Sequence, residues 1–304
     1  MTNTASTDNP LRPLKGARIL SLALNLPGPA AMMRLQAMGA KCTKLEPPTP
    51  AGMPAGTPGD PMGMYNMPAY TTLHAGISVL QADLKTAKGQ ARLHKVLERT
   101  DVLLTSFRPS ALEKLGLGWP ALKKRYPALS MVAIVGAPGA RAEEPGHDLT
   151  YMAEAGLITG MDTPPSLYAD MGGSLMASEA VLQVQMHRMR SGKGVRMEVA
   201  LSEAAIYLAL PRGWGLTSAK GSVGGSHAGY RVYACKDGRV AFAALEPHFA
   251  QRLMEAAGQS TSDMRTMVRP ETHALIADFV KDKSRAQLNA LSVQKDIPLF
   301  TLKG

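Results

Sequence analysis

Cysteine is nearly absent from this chain of 304 residues: Cys42 and Cys235 stand far apart, and neither belongs to a C-x-x-C pair. The spacing offers no redox pair and no Cys/His finger, so no metal site is expected and both thiols are expected free, in a reducing compartment. Aromatics make up only 5% of the chain. No aromatic-plus-basic pattern of the RNP type occurs, which argues against nucleic acid as a partner. Long apolar runs are missing too. No stretch of eighteen apolar residues exists, so no membrane span is expected. Met1 to Asn9 is polar and lacks a signal-peptide hydrophobic run, and Thr301-Leu302-Lys303-Gly304 is not a peroxisomal tripeptide. Together these absences point to a cytoplasmic protein.

Hydrophobic content is 45%, ample for a core, and methionine is abundant at 19. Most of these methionines read as adaptable core filler. The net charge of +10 implies attraction to something anionic. Because the lysines and arginines are dispersed, a phosphate-bearing small ligand fits as well as a polyanion. At this length, one large and one small domain is the natural expectation.

Residues 1–13 read as a disordered lead. Ala17 to Leu22 is a short apolar strand. Pro27-Gly28-Pro29 opens a helix that runs to Gly39, and Lys41 to Leu45 is the next strand. This order predicts a right-handed parallel unit. Residues 47–68 are dense in Pro, Gly and Met without a period, and read as a long irregular loop or lid. Further strands are expected at 78–84, 101–104, 129–135 and 195–199. Helices are expected at 86–98, 110–115 and 176–189, the last starting just after Asp170. The alternation argues for an α/β layer architecture. Residues 211–228 look like a linker. Beyond it a hairpin at 230–244 turns on Asp237-Gly238, and helices follow after Pro247 and over 272–291.

Two segments carry the chemistry. Gly146-His147-Asp148-Leu149-Thr150-Tyr151 offers an imidazole, and Tyr168-Ala169-Asp170-Met171-Gly172-Gly173 a carboxylate. The flanking glycines remove side chains where a substrate has to approach the backbone closely. An imidazole and a carboxylate on opposite sides of one carbon suit a proton-moving enzyme. The alternative is structural: a buried His147 capped by Asp148, with Asp170 as a helix N-cap.

Seven segments, in order and at similar spacing, resemble family III CoA-transferases. They are Leu14 to Leu20, Phe107-Arg108-Pro109, Leu115 to Gly118, Gly146 to Tyr151, Ala169 to Gly173, Ser191 to Gly194 and Leu245-Glu246-Pro247-His248-Phe249. Within that superfamily the pattern is most similar to α-methylacyl-CoA racemases. The resemblance implies a Rossmann-like large domain for coenzyme A over residues 14–210, a linker at 211–228, and a small α/β domain at 229–304. It also implies an interlocked homodimer. Relatives continue past the segment matched by Ile297 to Phe300, so their C-terminal return to the large domain is expected to be missing here.

The resemblance gives His147 and Asp170 the two acid/base parts in moving the α-proton of a 2-methylacyl-CoA thioester. Glu246 orients the histidine and Asp148 is linked to Asp170. The backbone N–H groups from Met171 to Gly173 become candidate donors to the enolate oxygen. In the transferases, the carboxylate matched by Asp170 is instead a nucleophile that carries the acyl group. A non-catalytic member with weak CoA binding is a third reading. Contacts to coenzyme A fall to Arg108, Lys44, His74 and Lys85, with backbone approach at Gly172 and Gly173. Lys88 and Arg141 are substitutes for the basic run that relatives carry near 74–78.

Overall fold

The computed structural model describes residues 11–260 and 263–304. Most of the expected disordered lead, residues 1–10, lies outside the described residues. The described chain divides into two compact units, one reaching Leu208 and the other beginning at Ala209.

The first unit is built on a six-stranded, wholly parallel sheet. Its strands are β1 (Arg18–Ser21), β2 (Lys41–Glu46), β3 (Ser78–Gln81), β4 (Val102–Thr105), β5 (Ser130–Val135) and β6 (Arg196–Ala200). They lie in the order β3-β2-β1-β4-β5-β6. This is the doubly wound order of dinucleotide-binding folds, and the strand order reverses between β1 and β4. Strands covered on both faces carry near-continuous apolar runs. Accordingly β4 and β5 are buried at every residue, whereas the edge strand β3 is half exposed.

Helix α1 (Pro27–Ala37) follows β1 with proline in its first turn, as the sequence predicts, and Gly39 follows its end at φ 96°. The segment read as an irregular loop is partly helical, forming α2 (Met62–Tyr65) and α3 (Met67–Leu73). The Asn66 side chain caps α3 by accepting from the Ala69 N–H. Next come α4 (Ala87–Leu97), α5 (Pro109–Lys114) and α6 (Trp119–Arg125), the last not expected from the sequence. Helix α7 (Asp148–Glu154) was not expected either. Helix α8 (Tyr168–Ser191) begins eight residues earlier than the spacing predicts. Its second turn contains Gly172 and Gly173, which read as a break in sequence. In three dimensions they admit α9 (Leu201–Gly213), whose Leu201 Cδ2 lies 2.2 Å from where a Cβ on Gly173 would stand. Helix α9 occupies the first residues of the expected linker.

The second unit holds a three-stranded antiparallel sheet of β7 (Val232–Cys235), β8 (Gly238–Phe242) and β9 (Leu299–Leu302), in that order. The hairpin exists, but Cys235 pairs with Gly238, so its two-residue turn is Lys236-Asp237 rather than Asp237-Gly238. Helices α10 (Pro247–Ala256), α11 (Pro270–Lys281) and α12 (Arg285–Lys295) complete it. The single helix expected over 272–291 is two. Ser284 ends the continuity by accepting from the Gln287 N–H while the Gln287 side chain accepts from the Ser284 N–H. This reciprocal pairing starts a new helix. No helix among the described residues is long and apolar enough to cross a membrane.

Candidate active site

A cleft of about 710 Å³ opens at the carboxyl ends of β1, β4 and β5. In parallel α/β sheets this is where ligands settle, because the strand ends diverge at the reversal and leave a crevice. Its walls come from four stretches. Asn25 and Leu26 follow β1, and Phe107 and Arg108 follow β4. Gly136, Gly146, His147 and Tyr151 follow β5. Met62, Tyr65 and Asn66 come from α2 and its end. Asp170 and Leu167 close the cleft from the start of α8.

His147 sits at the N-cap of α7 in an extended conformation. The Thr150 hydroxyl fixes it by accepting from the His147 N–H at 3.1 Å and donating to the His147 carbonyl at 2.7 Å. The imidazole is exposed and lines the cleft. The structural alternative, a buried histidine capped by Asp148, is therefore not what forms. Asp148 is buried and turns the other way: its Oδ1 accepts from the Asp170 N–H at 3.0 Å. Asp148 thus joins the first turn of α7 to the first turn of α8 and satisfies one of the donors that every helix start leaves open.

Asp170 lies in the first turn of α8, half-buried on the cleft wall. Burial first, and the neighbouring Asp148 carboxylate second, push its pKa from 3.8 up to about 6; His147 opposes both. The carboxylate, the imidazole and the Arg108 guanidinium line one cleft.

Several expected residues fall elsewhere. Lys44 and His74 are buried and belong to an internal network, so neither is placed to meet a ligand phosphate. Lys44 is ion-paired with Asp60, lies 3.7 Å from Glu46, and bonds His74 Nε2 at 2.9 Å. His74 Nδ1 meets the Tyr70 carbonyl at 2.7 Å. A carbonyl only accepts and an ammonium only donates, so Nδ1 carries the proton and Nε2 accepts. Burial and the Lys44 cation lower the pKa of His74, which keeps the ring neutral. Sequence could not show this, because the organising residue, Asp60, lies inside the apparent loop. Asp60 also accepts from the Asn25 N–H at 3.1 Å, so the network holds the β1–α1 turn that lines the cleft.

Lys85 is exposed at the turn after β3, outside the cleft-lining set. Arg141 is engaged by Glu144 and Glu154. Gly172 and Gly173 face α9 instead of the cleft, with Ala204 and Leu208 beside the first and Leu201 against the second. The Met171 N–H donates to the Leu167 carbonyl inside α8, so it is not available to an enolate oxygen. Gly146 also has a reason different from the expected one: its open side holds the Tyr151 phenol. Glu246 belongs to the second unit, at the N-cap of α10 and followed by Pro247, and its carboxylate makes no capping bond. Tyr151, Tyr65 and Asn25 line the cleft without having been singled out. The one local signal was Tyr151's place in the His147 segment.

The model of CoA-transferase family III matches residues 14–303, and the chain belongs to that family. A probable fatty acyl-CoA transferase of Mycobacterium tuberculosis is 33% identical over 215 residues, covering 66% of this chain and 54% of that protein. This chain therefore spans only about half the length of that relative. Human α-methylacyl-CoA racemase is 27% identical over 302 residues, covering 90% of this chain and 73% of the racemase. A crystal structure of the same M. tuberculosis protein superposes with a TM-score of 0.80 at 25% identity, covering 97% of this chain and 84% of that one. Further relatives carry CoA-transferase names.

Proposed function

We propose that the protein transfers coenzyme A between carboxylic acids, with Asp170 as the acyl-accepting nucleophile. The observation that carries this reading is the state of Asp170, a carboxylate on a cleft wall whose pKa is pushed up to about 6. Poor solvation raises both its basicity and its nucleophilicity, yet at neutral pH roughly nine-tenths of it is ionised. The 33% identity to a probable fatty acyl-CoA transferase supports the same reading. This reverses the order of preference drawn from sequence alone, which set racemase chemistry first.

The Asp170 carboxylate attacks the thioester carbonyl, the C–S bond breaks, and the CoA thiolate leaves an acyl–aspartyl anhydride. The thiolate then attacks the Asp170 carbonyl carbon, releasing the first acid as its carboxylate and leaving an aspartyl thioester. An acceptor carboxylate reverses both steps. Arg108, exposed and free of a salt bridge among the described residues, is the cleft cation suited to a phosphate of the substrate. Hydroxylamine added with acyl-CoA tests the reading. A hydroxamate at Asp170 is the expected product, and its absence from protein that binds acyl-CoA contradicts transfer.

A second reading has its own observation. The exposed His147 imidazole shares the cleft with Asp170. Two such groups suit proton exchange at the α-carbon of a 2-methylacyl-CoA, and the likeness to α-methylacyl-CoA racemase supports this. Deuterium uptake at that carbon, lost in His147→Ala, is its signature. The interlocked homodimer belongs to either reading, and its check is the mass in solution by sedimentation.

A further inference from the structure

Tyr151 lies on α7, four residues after the N-cap His147, and both residues line the cleft. Its side chain is buried, the residue being only 7% exposed, yet it lines the cleft. Two backbone stretches have given up side chains to admit it. A Cβ on Gly136 would stand 2.2 Å from the Tyr151 hydroxyl, and one on Gly146 2.6 Å from it. Among the described residues the hydroxyl has no hydrogen-bond partner. The hydroxyl is held in a fixed place on the cleft wall with its donor uncommitted, so a carbonyl oxygen entering the cleft is an acceptor within its reach.

We propose that the Tyr151 hydroxyl is the hydrogen-bond donor that receives the carbonyl oxygen of the bound thioester as Asp170 attacks its carbon. The assignment rests on the acyl-CoA reading above. Charged groups face the phenol from several elements: Asp170 from α8, Arg108 from the end of β4, Arg141 from the 139–143 turn and Glu154 from α7. Burial first, and then the Asp170 carboxylate, raise the phenol's pKa above its ordinary value. The group therefore enters the reaction protonated, as a donor and not as a base. Tyr151 keeps its proton throughout. It lowers the barrier by holding the negative charge that collects on oxygen when the carbonyl carbon becomes tetrahedral.

The test is Tyr151→Phe, which keeps the ring in its slot and removes only the oxygen. The expected result is a kcat lowered by roughly 10²- to 10³-fold, the range for losing one such donor. KM for acyl-CoA, Tm and the pH midpoint set by Asp170 stay where they were. Isotope-edited infrared spectra of bound acyl-CoA labelled at the carbonyl carbon give an independent signature: the C=O stretch lies lower in the wild type than in Tyr151→Phe. An unchanged kcat and stretch overturn the proposal. So does a shifted pH midpoint, which would mean that the hydroxyl acts on Asp170 instead. An active wild type with an equally active variant sinks this proposal alone. A wild type that binds no acyl-CoA sinks the acyl-CoA reading and this proposal with it.

Discussion

The Asp170 N–H donates to Oδ1 of Asp148 at 3.0 Å, so the residue that caps α8 also sets the electrostatics of the carboxylate beside it. Asp148→Asn keeps an acceptor at the cap and removes the charge. Asp148 raises the pKa of Asp170, so its neutralisation moves the acidic limb of the pH–rate profile to lower pH, from a wild-type midpoint of about 6. Asp148→Ala in addition loses the cap, at a cost of about 1 kcal/mol. Rate measurements across the acidic and neutral range and urea titrations check the two effects separately.

Asp170→Asn is expected to stabilise the fold. The folded pKa of about 6 exceeds the ordinary 3.8, so the folded state binds the proton more tightly than the unfolded one. Stability is then highest below pH ~4, falls as pH rises through the window up to about 6, and stays low at neutral pH. The neutral amide escapes this penalty and gains about 1–2 kcal/mol at neutral pH, where each tenfold change in proton affinity is worth roughly 1.4 kcal/mol before the discount for partial solvation. Below pH ~4 the difference vanishes. Denaturant unfolding on either side of that window reads both arms; a stability difference from wild type that is the same at acidic and neutral pH contradicts the account.

Lys44 distinguishes a buried structural cation from a phosphate ligand. Lys44→Met leaves Asp60 and Glu46 as uncompensated buried carboxylates and is expected to cost about 3–5 kcal/mol of stability. Lys85→Ala, at an exposed turn outside the cleft lining, is expected to shift stability by under about 0.5 kcal/mol and to leave KM for acyl-CoA unchanged. Thermal denaturation and steady-state kinetics on the pair settle the assignment. A stable Lys44→Met protein with only a raised KM reverses it.

Gly173→Ala probes the α8–α9 contact. The new methyl overlaps Leu201 Cδ2, and overpacking of this kind costs about 1–3 kcal/mol. Leu201→Ala should relieve most of the strain, so the double variant is more stable than the sum of the two single effects predicts. Additive losses would mean that the glycine is not there for packing.

The parallel sheet was legible in the sequence because strands buried on both faces must be apolar along their length. Leu20, Leu103 and Leu104 announce themselves in this way. Helix α6 was not legible: of its seven residues only Leu122 is buried, and Lys123-Lys124-Arg125 masks any period. The true start of α8 was hidden because Gly172 and Gly173 read as a stop, and only the distant Leu201 shows them to be a packing surface. Strand β9 is a short, partly exposed edge with no alternating pattern. His147, Asp148 and Asp170, singled out by residue type and spacing, line one cleft. Lys44 and His74 were misplaced because their burial depends on Asp60, and Tyr151 was passed over because its slot is made by Gly136, fifteen residues away.

The central claim is that Asp170 accepts the acyl group. Its most direct measurement is peptide mass spectrometry of the wild-type protein after incubation with acyl-CoA and hydroxylamine. A hydroxamate confined to Asp170, and absent from Asp170→Asn, is the predicted result. An unmodified Asp170 accompanied by deuterium uptake at the substrate α-carbon would contradict it and establish proton exchange instead.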